Sequence, residues 1–320
     1  MIENVTEHPS LGEGLGGLFT FDDIRPYEPE EIKQAFEDLL SDRHFNAVMH
    51  GLAPWLPKSV RNGLLRLAFT GVKTPLDFQL RFMKPAVKYI IRKHTDGCTF
   101  DDTLLPADKS LRYTFISNHR DIVLDSALLD KLLLDAGCTT TCEIAIGDNL
   151  LSLPWVKDLV RVNKSFIVER SLPPRQLLLA SKKLSEYMHY AIDGKHENIW
   201  IAQREGRAKD SDDRTQPAIL KMMAMGGEGT VVDRLVALHI VPLAISYEYD
   251  PCDYLKAQEF QQKRDIEGFH KSKEDDIVSM RTGIMGFKGR IHYHCAPCID
   301  DFLRSLDPDM PKAELFEAVA

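Results

Sequence analysis

His119 is followed closely by two aspartates, Asp121 and Asp125, at a point where a strand gives way to a helix. Residues 112–117 have the pattern of a short buried strand, and residues 122–136 carry apolar side chains at helical spacing before a glycine. An imidazole, with an ordinary pKa near ~6.5, accepts a proton from a hydroxyl at neutral pH when a carboxylate orients its other ring nitrogen. The segment therefore predicts an acid–base site on a strand-to-helix turn.

Either aspartate can serve as the orienting carboxylate. If Asp121 caps the helix, Asp125 lies one turn further along on the same face, and the helix N-terminus favours both as anions. In the structural alternative, Asp121 only caps the helix and Asp125 only faces solvent. Both alternatives remain open on the residues of this segment alone.

The segment resembles the first sequence block of the glycerolipid acyltransferase superfamily, the glycerol-3-phosphate and 1-acylglycerol-3-phosphate acyltransferases. The signature of that block is a histidine, four residues and an aspartate, and residues 118–120 and 125–126 carry the resemblance. The family's aspartate spacing falls on Leu124, so this chain has one additional residue before Asp125. The resemblance implies that His119 is the general base, and it favours Asp125 as the carboxylate that orients it.

Three further blocks follow in the family's order. Residues 164–170 resemble the second block, residues 199–207 the third and residues 239–248 the fourth. Taken singly, each of their polar residues is also explained by a structural role in a surface ion pair, a turn or an edge strand. Together, four blocks in order favour the family, and the resemblance implies that six residues bind substrate: Arg120, Arg170, Glu205, Gly206, Arg207 and Pro242.

The resemblance implies transfer of a fatty acyl group to a hydroxyl in phospholipid biosynthesis. The donor is a thioester, either acyl-CoA or acyl carrier protein, and the acceptor is glycerol-3-phosphate or lysophosphatidate. Arginine forks suit such acceptors because they pair with phosphate oxygens in bidentate fashion. The donor is a co-substrate, and no cofactor is expected.

Two other functions of the same fold remain open. In a non-catalytic protein that binds lipid or acyl thioester, the shifted Asp125 would have ended catalysis. In a thioesterase, His119 would activate water instead of an alcohol.

A second group of polar residues superficially resembles a zinc site: His292, His294, Cys295 and Cys298. Alternate strand positions put both histidines on one face and Cys295 on the other, and no second ligand pair has the usual spacing. An ordinary terminal strand and no metal are therefore expected.

Composition and the N-terminus limit the class of protein. The chain has 320 residues and a net charge of −8, which argues against a general nucleic-acid binder. Residues 1–18 lack the basic start and apolar stretch of a signal peptide, and no run of ~18 apolar residues suggests a membrane span. The six cysteines are then expected to be reduced thiols, and the expected location is the cytoplasm.

Residues 58–94 have a charge opposite to that of the whole chain, with nine lysines and arginines and one aspartate. Apolar residues alternate with these bases as in amphipathic helices that lie on an anionic bilayer, which predicts peripheral contact with the inner face of the membrane. Two alternatives remain open. The bases could pack on the acidic catalytic domain, or they could bind an acidic acyl carrier protein.

The chain pattern predicts an α/β fold with a mixed, largely parallel sheet flanked by helices, after an N-terminal helical region. Residues 1–100 are assigned to the helical region, with helical patterns over 30–52, 59–69 and 76–94, and residues 101–320 to the acyltransferase domain. Beyond the strand at 112–117, the predicted strands cover 141–147, 165–169, 198–203, 238–247 and 289–294. A helix is predicted over 174–192.

Overall fold

A computed structural model of the protein describes residues 19–151, 153–209 and 212–320. The prediction that no signal peptide is present concerns residues 1–18, which lie outside the described residues. In the described ranges the chain forms one seven-stranded sheet. Its strands, in chain order, are β1 (Gly97–Asp101), β2 (Thr114–Ser117), β3 (Cys142–Gly147), β4 (Ser165–Val168), β5 (Asn198–Ala202), β6 (Ile240–Tyr247) and β7 (Arg290–Cys295).

The strands lie in the order β1-β7-β6-β2-β5-β3-β4. Every neighbouring pair is parallel except β6 and β7, which are antiparallel. The prediction of an α/β fold with a mixed, largely parallel sheet is thus confirmed. Six strands were predicted to within about two residues, whereas β1, at the sheet edge, was missed because its side chains are only partly buried and show no apolar alternation.

Helices precede the sheet and flank it. Those before the sheet are α1 (Pro29–Ser41), α2 (Arg43–Leu52), α3 (Lys58–Phe69), α4 (Pro75–Phe78) and α5 (Lys84–His94). Those between strands are α6 (Leu124–Asp135), α7 (Pro154–Val162), α8 (Pro174–His189), α9 (Pro217–Met223), α10 (Val231–Val236), α11 (Asp253–Asp265) and α12 (Lys273–Met285). After β7 come α13 (Asp300–Ser305) and α14 (Lys312–Val319). Short turns complete the set: a 3₁₀ turn at Asp148–Leu150 and π-helical turns at Gln79–Met83 and Tyr190–Gly194.

The N-terminal helices depart from the predicted pattern in two places. Residues 30–52 form two helices, because the Asp42 side chain accepts the N–H groups of His44 and Phe45 and so starts a second helix. Residues 76–94 are interrupted by the π-helical turn.

The same helices pack on the sheet domain through an apolar cluster that includes Phe36 and Leu39 of α1 and Val162 of α7. Gln79 adds a polar link, because its Nε2 donates to Oδ2 of Asp130 at 3.0 Å. The division into a helical region and a catalytic domain stays a prediction, and β1 begins within the residues assigned to the helical region.

The sheet separates two apolar cores. One contains Phe166, Tyr187 and Ile199, and the other contains Phe115 and Trp200. Toward β7 the sheet is less covered: on β6, Pro242, Ala244 and Ser246 are exposed and alternate with buried residues. Because successive side chains of a strand point to opposite faces, one face of this part of the sheet is open to solvent.

Candidate active site

His119 lies in the turn between β2 and α6. All four residues of β2 are buried, and the chain leaves the sheet at Asn118. The Asn118 side chain fixes this exit, since its amide donates to the carbonyl of Ile245 at 2.9 Å and its oxygen accepts the Ile245 N–H at 2.7 Å. Trp200 of β5 supports the turn from the other side, with its ring edge-to-face against the His119 ring. The histidine is therefore held by both neighbouring strands.

Asp125 is the carboxylate that contacts His119. Its Oδ2 lies 2.9 Å from Nδ1 of His119, and its side chain is fully buried, whereas that of His119 remains 15% exposed. The same Oδ2 accepts the backbone N–H groups of Arg120 at 2.7 Å and Asp121 at 3.0 Å. An ionised carboxylate can only accept hydrogen bonds, so the proton shared with His119 is assigned to Nδ1 of the imidazole. Nε2 is then the basic nitrogen.

Asp121 supports the backbone of the turn. Its Oδ1 accepts the N–H groups of Val123 and Leu124, at 2.9 and 2.8 Å, so it closes the turn that leads into α6. The N-cap residue of α6 is Val123, so the alternative in which Asp121 is the N-cap is wrong. The path of that turn brings Asp125 to His119. Burial raises the pKa of Asp121, and the negative charge of Asp125 raises it further.

One residue distant in sequence packs against Asp121, and the charge of another affects the Asp121 pKa. Gly283 of α12 packs so closely that a Cβ built on it would lie 1.9 Å from Oδ2 of Asp121. The Arg207 guanidinium lowers the pKa of Asp121, opposing the effect of burial. Arg207 is buried, and its Nη1 has no hydrogen-bond partner among the described residues. The structure thus brings a residue of the third block to the turn of the first block.

Arg120 follows the histidine and is only partly buried. Its Nε is buried without a hydrogen-bond partner in the described part of the chain. Its backbone carbonyl accepts a 2.8 Å hydrogen bond from the ammonium group of Lys256, a buried residue of α11 that also pairs with Asp250. These contacts fix the backbone of the turn while leaving a guanidinium donor available.

Arg170 and Glu205, from the second and third blocks, form an ion pair with 3.6 Å between Nη1 and Oε1. Glu205 is largely exposed, so the pair contributes little stability. Gly206 follows with φ +69°, and a Cβ built on it would meet nothing within 4 Å. The second and third blocks therefore meet at an open surface of the molecule.

Pro242 lies inside β6, in register with Ile116 of β2. Its side chain belongs to the exposed face of the sheet, and its carbonyl accepts the Ala296 N–H at 2.9 Å. This register position precedes the end of β2 and the turn that carries His119. A substrate-binding role for Pro242, like the roles of the other predicted residues, stays a prediction.

Tyr247 and Tyr293 were not identified from the sequence. The Tyr247 hydroxyl donates to Oδ1 of Asp125 at 3.3 Å, and the Tyr293 hydroxyl donates to the Asp125 carbonyl at 2.9 Å. Burial raises the pKa of both phenols, which keeps them as hydrogen-bond donors. Both lie in strands more than 120 residues from Asp125 in the chain, so no local pattern signals the contact.

The histidines of the zinc-like group lie on the open face of β7. Nδ1 of His292 is 2.8 Å from the Thr99 hydroxyl, and Nδ1 of His294 is 3.0 Å from Oδ2 of Asp101. Cys295 is buried on the opposite face, as the alternation along the strand predicts. These residues therefore do not converge on a common point.

No helix in the described ranges is both long and apolar enough to span a bilayer. No protein-family model matches the chain, and no curated protein matches its sequence. Among solved structures, the crystal structure of the 1-acyl-sn-glycerophosphate acyltransferase PlsC from Thermotoga maritima matches 90% of this chain and 94% of its own. The sequence identity is 11% and the TM-score 0.41. Such a distant likeness transfers no residue roles, so the roles proposed for this chain rest on its own site.

Proposed function

We propose that this protein is an O-acyltransferase that moves a fatty acyl group from a thioester to a hydroxyl of a phosphorylated glycerol. The observation that carries the proposal is the contact between Asp125 and Nδ1 of His119. It fixes the ring orientation and the proton on Nδ1, as a general base requires. Asp125 is itself fixed by two backbone N–H groups, so the base is positioned before substrate binds.

In the proposed reaction, Nε2 of His119 accepts the proton of the acceptor hydroxyl while the oxygen attacks the thioester carbonyl. The tetrahedral intermediate then collapses, the carbon–sulfur bond breaks, and the imidazolium returns the proton to the leaving thiolate. The products are an ester and a free thiol, and the histidine is regenerated. No covalent intermediate with the enzyme is needed.

Buried arginine groups support a phosphorylated acceptor. Nε of Arg120, Nε of Arg204 and Nη1 of Arg207 are buried without hydrogen-bond partners among the described residues. Unpaired buried donors are costly, and phosphate oxygens are suitable acceptors for guanidinium groups. Arg120 is adjacent to the base in the chain, and the charge of Arg207 acts on Asp121 in the same turn, so a phosphate held by them would lie near the catalytic histidine.

The tetrahedral intermediate carries an oxyanion that needs hydrogen-bond donors, and the N–H groups at the start of α6 are not available for it. The N–H groups of Arg120 and Asp121 donate to Asp125, and those of Val123 and Leu124 donate to Asp121. These four donors are already used. We therefore assign oxyanion stabilisation to the loop at Gly206, where a Cβ would meet nothing within 4 Å and a substrate has room to approach the backbone.

The direct test is the release of free thiol from palmitoyl-CoA by the purified chain. The reaction is run with glycerol-3-phosphate, with lysophosphatidate and without acceptor, for the wild type and His119→Ala. The matched control is His270→Ala, because His270 is an exposed histidine outside the site. We expect acceptor-dependent release that is lost in His119→Ala and kept in His270→Ala.

Other outcomes decide between the remaining functions. Release at the same rate with and without acceptor would identify a thioesterase. If neither palmitoyl-CoA nor an acyl carrier protein thioester yields free thiol, the acyltransferase proposal is wrong and a binding protein is favoured. The acceptor that supports thiol release is identified as the second substrate.

The basic segment 58–94 is proposed to contact an anionic bilayer through α3 and the turn before it. Val60, Leu64 and Leu67 lie along one helix face and are exposed, Leu67 by 70%, and Trp55 in the preceding turn is 76% exposed. Such a stripe of exposed apolar residues, with Lys58 at the start of the helix, suits the interface of a membrane. Within the segment, Arg61 is buried, Arg66 pairs with Glu37 and Lys84 pairs with Asp135. The other six bases form no ion pair among the described residues and are left for another partner.

A further inference from the structure

A histidine, a cysteine and an aspartate converge at the end of the sheet opposite to His119. His239 immediately precedes β6, Cys298 lies between β7 and α13, and Asp300 is the first residue of α13. One potential ligand atom from each lies within 4.8 Å of the others. Because His119 follows the C-terminal end of β2 and β6 is parallel to β2, the start of β6 is remote from the proposed active site.

We propose that His239, Cys298 and Asp300 form a binding site for a thiophilic divalent cation, of which Zn²⁺ is the best match. Nitrogen, sulfur and carboxylate oxygen are the ligands that zinc prefers, at about 2.0–2.3 Å from the ion. Tetrahedral geometry at those lengths separates ligand atoms by roughly 3.3–3.8 Å. The observed cluster reaches that geometry with movements of about an ångström or less.

The donor set favours zinc over harder cations. Mg²⁺ and Ca²⁺ prefer sites built entirely of oxygen ligands, and a thiolate with an imidazole does not provide one. One thiolate and one carboxylate neutralise the charge of a divalent ion. Binding releases the thiol proton of Cys298 and any proton on the nitrogen of His239 that binds the ion.

The polar contacts of the cluster leave one oxygen without a partner. Nδ1 of His239 lies 2.7 Å from Oδ2 of Asp300, while Oδ1 of Asp300 is buried with no hydrogen-bond partner in the described ranges. A buried acceptor without a donor is unfavourable, and a cation would satisfy it. The Asp300 side chain is 15% exposed and that of His239 is 45% exposed, so an ion can approach and water can supply the fourth ligand.

The backbone holds the ligands on rigid elements. The His239 N–H donates to the Val236 carbonyl at 3.0 Å, and the His239 carbonyl accepts the Thr114 N–H at 3.2 Å. Between the other two ligands, the Ile299 N–H donates to the Ile240 carbonyl at 2.9 Å. The ion would therefore tie the start of β6 to the start of α13, and its binding should stabilise the fold.

The structure also separates this cluster from the zinc-like group in the sequence. Cys298 belongs to both, but His292 and His294 are bound to Thr99 and Asp101 on the open face of the sheet. The histidine that meets Cys298 is His239, which lies far away in the chain. Variants of His294 and His239 therefore distinguish the two possible sites.

The test is titration of the reduced, full-length protein with Co²⁺, a spectroscopic substitute for Zn²⁺. We expect a thiolate-to-cobalt charge-transfer band that saturates at about one equivalent and disappears when Zn²⁺ is added. The band should be lost in Cys298→Ser and should require at least about tenfold more Co²⁺ in His239→Asn. Asn is chosen at position 239 because the backbone there has φ 46°, which Asn tolerates better than most residues.

Cys138→Ser and His294→Ala are the matched controls, since Cys138 is another partly buried thiol and His294 belongs to the alternative group. Both should retain the band. A melting-temperature increase with Zn²⁺ in the wild type, absent in Cys298→Ser and His239→Asn, is the second expected result. The proposal is overturned if the wild type shows no band, or if Cys298→Ser retains it; neither result depends on acyltransferase activity.

Discussion

Oδ2 of Asp125 receives three hydrogen-bond contacts, from Nδ1 of His119 and from the backbone N–H groups of Arg120 and Asp121. One carboxylate oxygen thus fixes both the imidazole and the backbone of the turn that carries it. The histidine and its support are therefore positioned together, and a change at Asp125 should affect catalysis more than any other change in the turn except one at His119.

Asp125→Asn should lower kcat by about 10²–10⁴-fold with a smaller effect on KM, because an amide can no longer fix the Nδ1–H tautomer. Asp121→Asn is the matched variant, since Asp121 closes the turn before α6 and its hydrogen bonds go to the backbone of that turn. It should lower the melting temperature while retaining most of the activity. Steady-state thiol release and thermal melting of both variants measure the difference. If Asp121→Asn loses more activity than Asp125→Asn in folded protein, the assignment of the two aspartates is wrong.

Gly283→Ala should destabilise the protein by about 1–3 kcal/mol and reduce activity, because the added Cβ would meet Oδ2 of Asp121 at 1.9 Å. Either α12 or Asp121 must then move. Gly63→Ala in α3 is the control, as a Cβ there meets nothing within 4 Å and alanine favours the helix. Urea unfolding and thiol release are the measurements. Equal behaviour of the two variants would contradict close packing at Asp121.

Arg207→Lys should raise KM for the phosphorylated acceptor by about tenfold or more, since lysine cannot reproduce the guanidinium fork. The KM for the acyl donor should change much less. Arg214→Lys is the control, because Arg214 is highly exposed and pairs with Asp212. Initial rates over a range of acceptor and donor concentrations separate the two effects. A larger increase in the donor KM would show that Arg207 recognises the other substrate.

Asp130 should make the protein less stable as pH rises. Burial raises its pKa from 3.8 to about 7, although the Cys142 N–H donates to its Oδ1. Between these two values the folded state holds a proton that the unfolded state releases, so the free energy of unfolding falls as pH increases and levels off above about 7. From pH 5.5 to 8 the loss due to this group should be about 2 kcal/mol.

The measurement is urea unfolding of wild type and Asp130→Asn at pH 5.5 and pH 8. The wild type should lose more stability over this interval than the variant, whose side chain does not titrate. Asp135→Asn, at the end of the same helix, is the control, because ion pairing with Lys131 and Lys84 lowers the pKa of Asp135 against the effect of burial. A pH dependence that is the same in wild type and Asp130→Asn would show that Asp130 is ionised throughout.

The double variant Leu64→Ser with Leu67→Ser should weaken binding to anionic phospholipid vesicles by about tenfold or more, because two exposed apolar side chains of α3 are removed. The matched control is Ile277→Ser with Val278→Ser, an exposed apolar pair on α12. Vesicle sedimentation at two salt concentrations gives the comparison. Unchanged vesicle binding, with weaker binding of acyl carrier protein, would favour the carrier protein as the partner of this segment.

The sequence by itself determined the features that depend on neighbouring residues. Apolar periodicity located six strands of the sheet, and His119, Asp121 and Asp125 were identified within one short segment. A single turn can encode this information, because side chains a few residues apart share one helix face or lie at one strand end. The same local signals did not reveal β1, whose partly buried edge position leaves no clear alternation.

Only the tertiary structure decided which aspartate contacts the histidine, because the answer depends on the path of the turn from the end of β2 into α6. It also brought Tyr247, Tyr293 and Gly283 to the two aspartates from strands and a helix far along the chain. These contacts follow from the order and direction of the strands, in particular the antiparallel pairing of β6 with β7. No local sequence pattern specifies that order, since it results from how all the apolar faces are buried together.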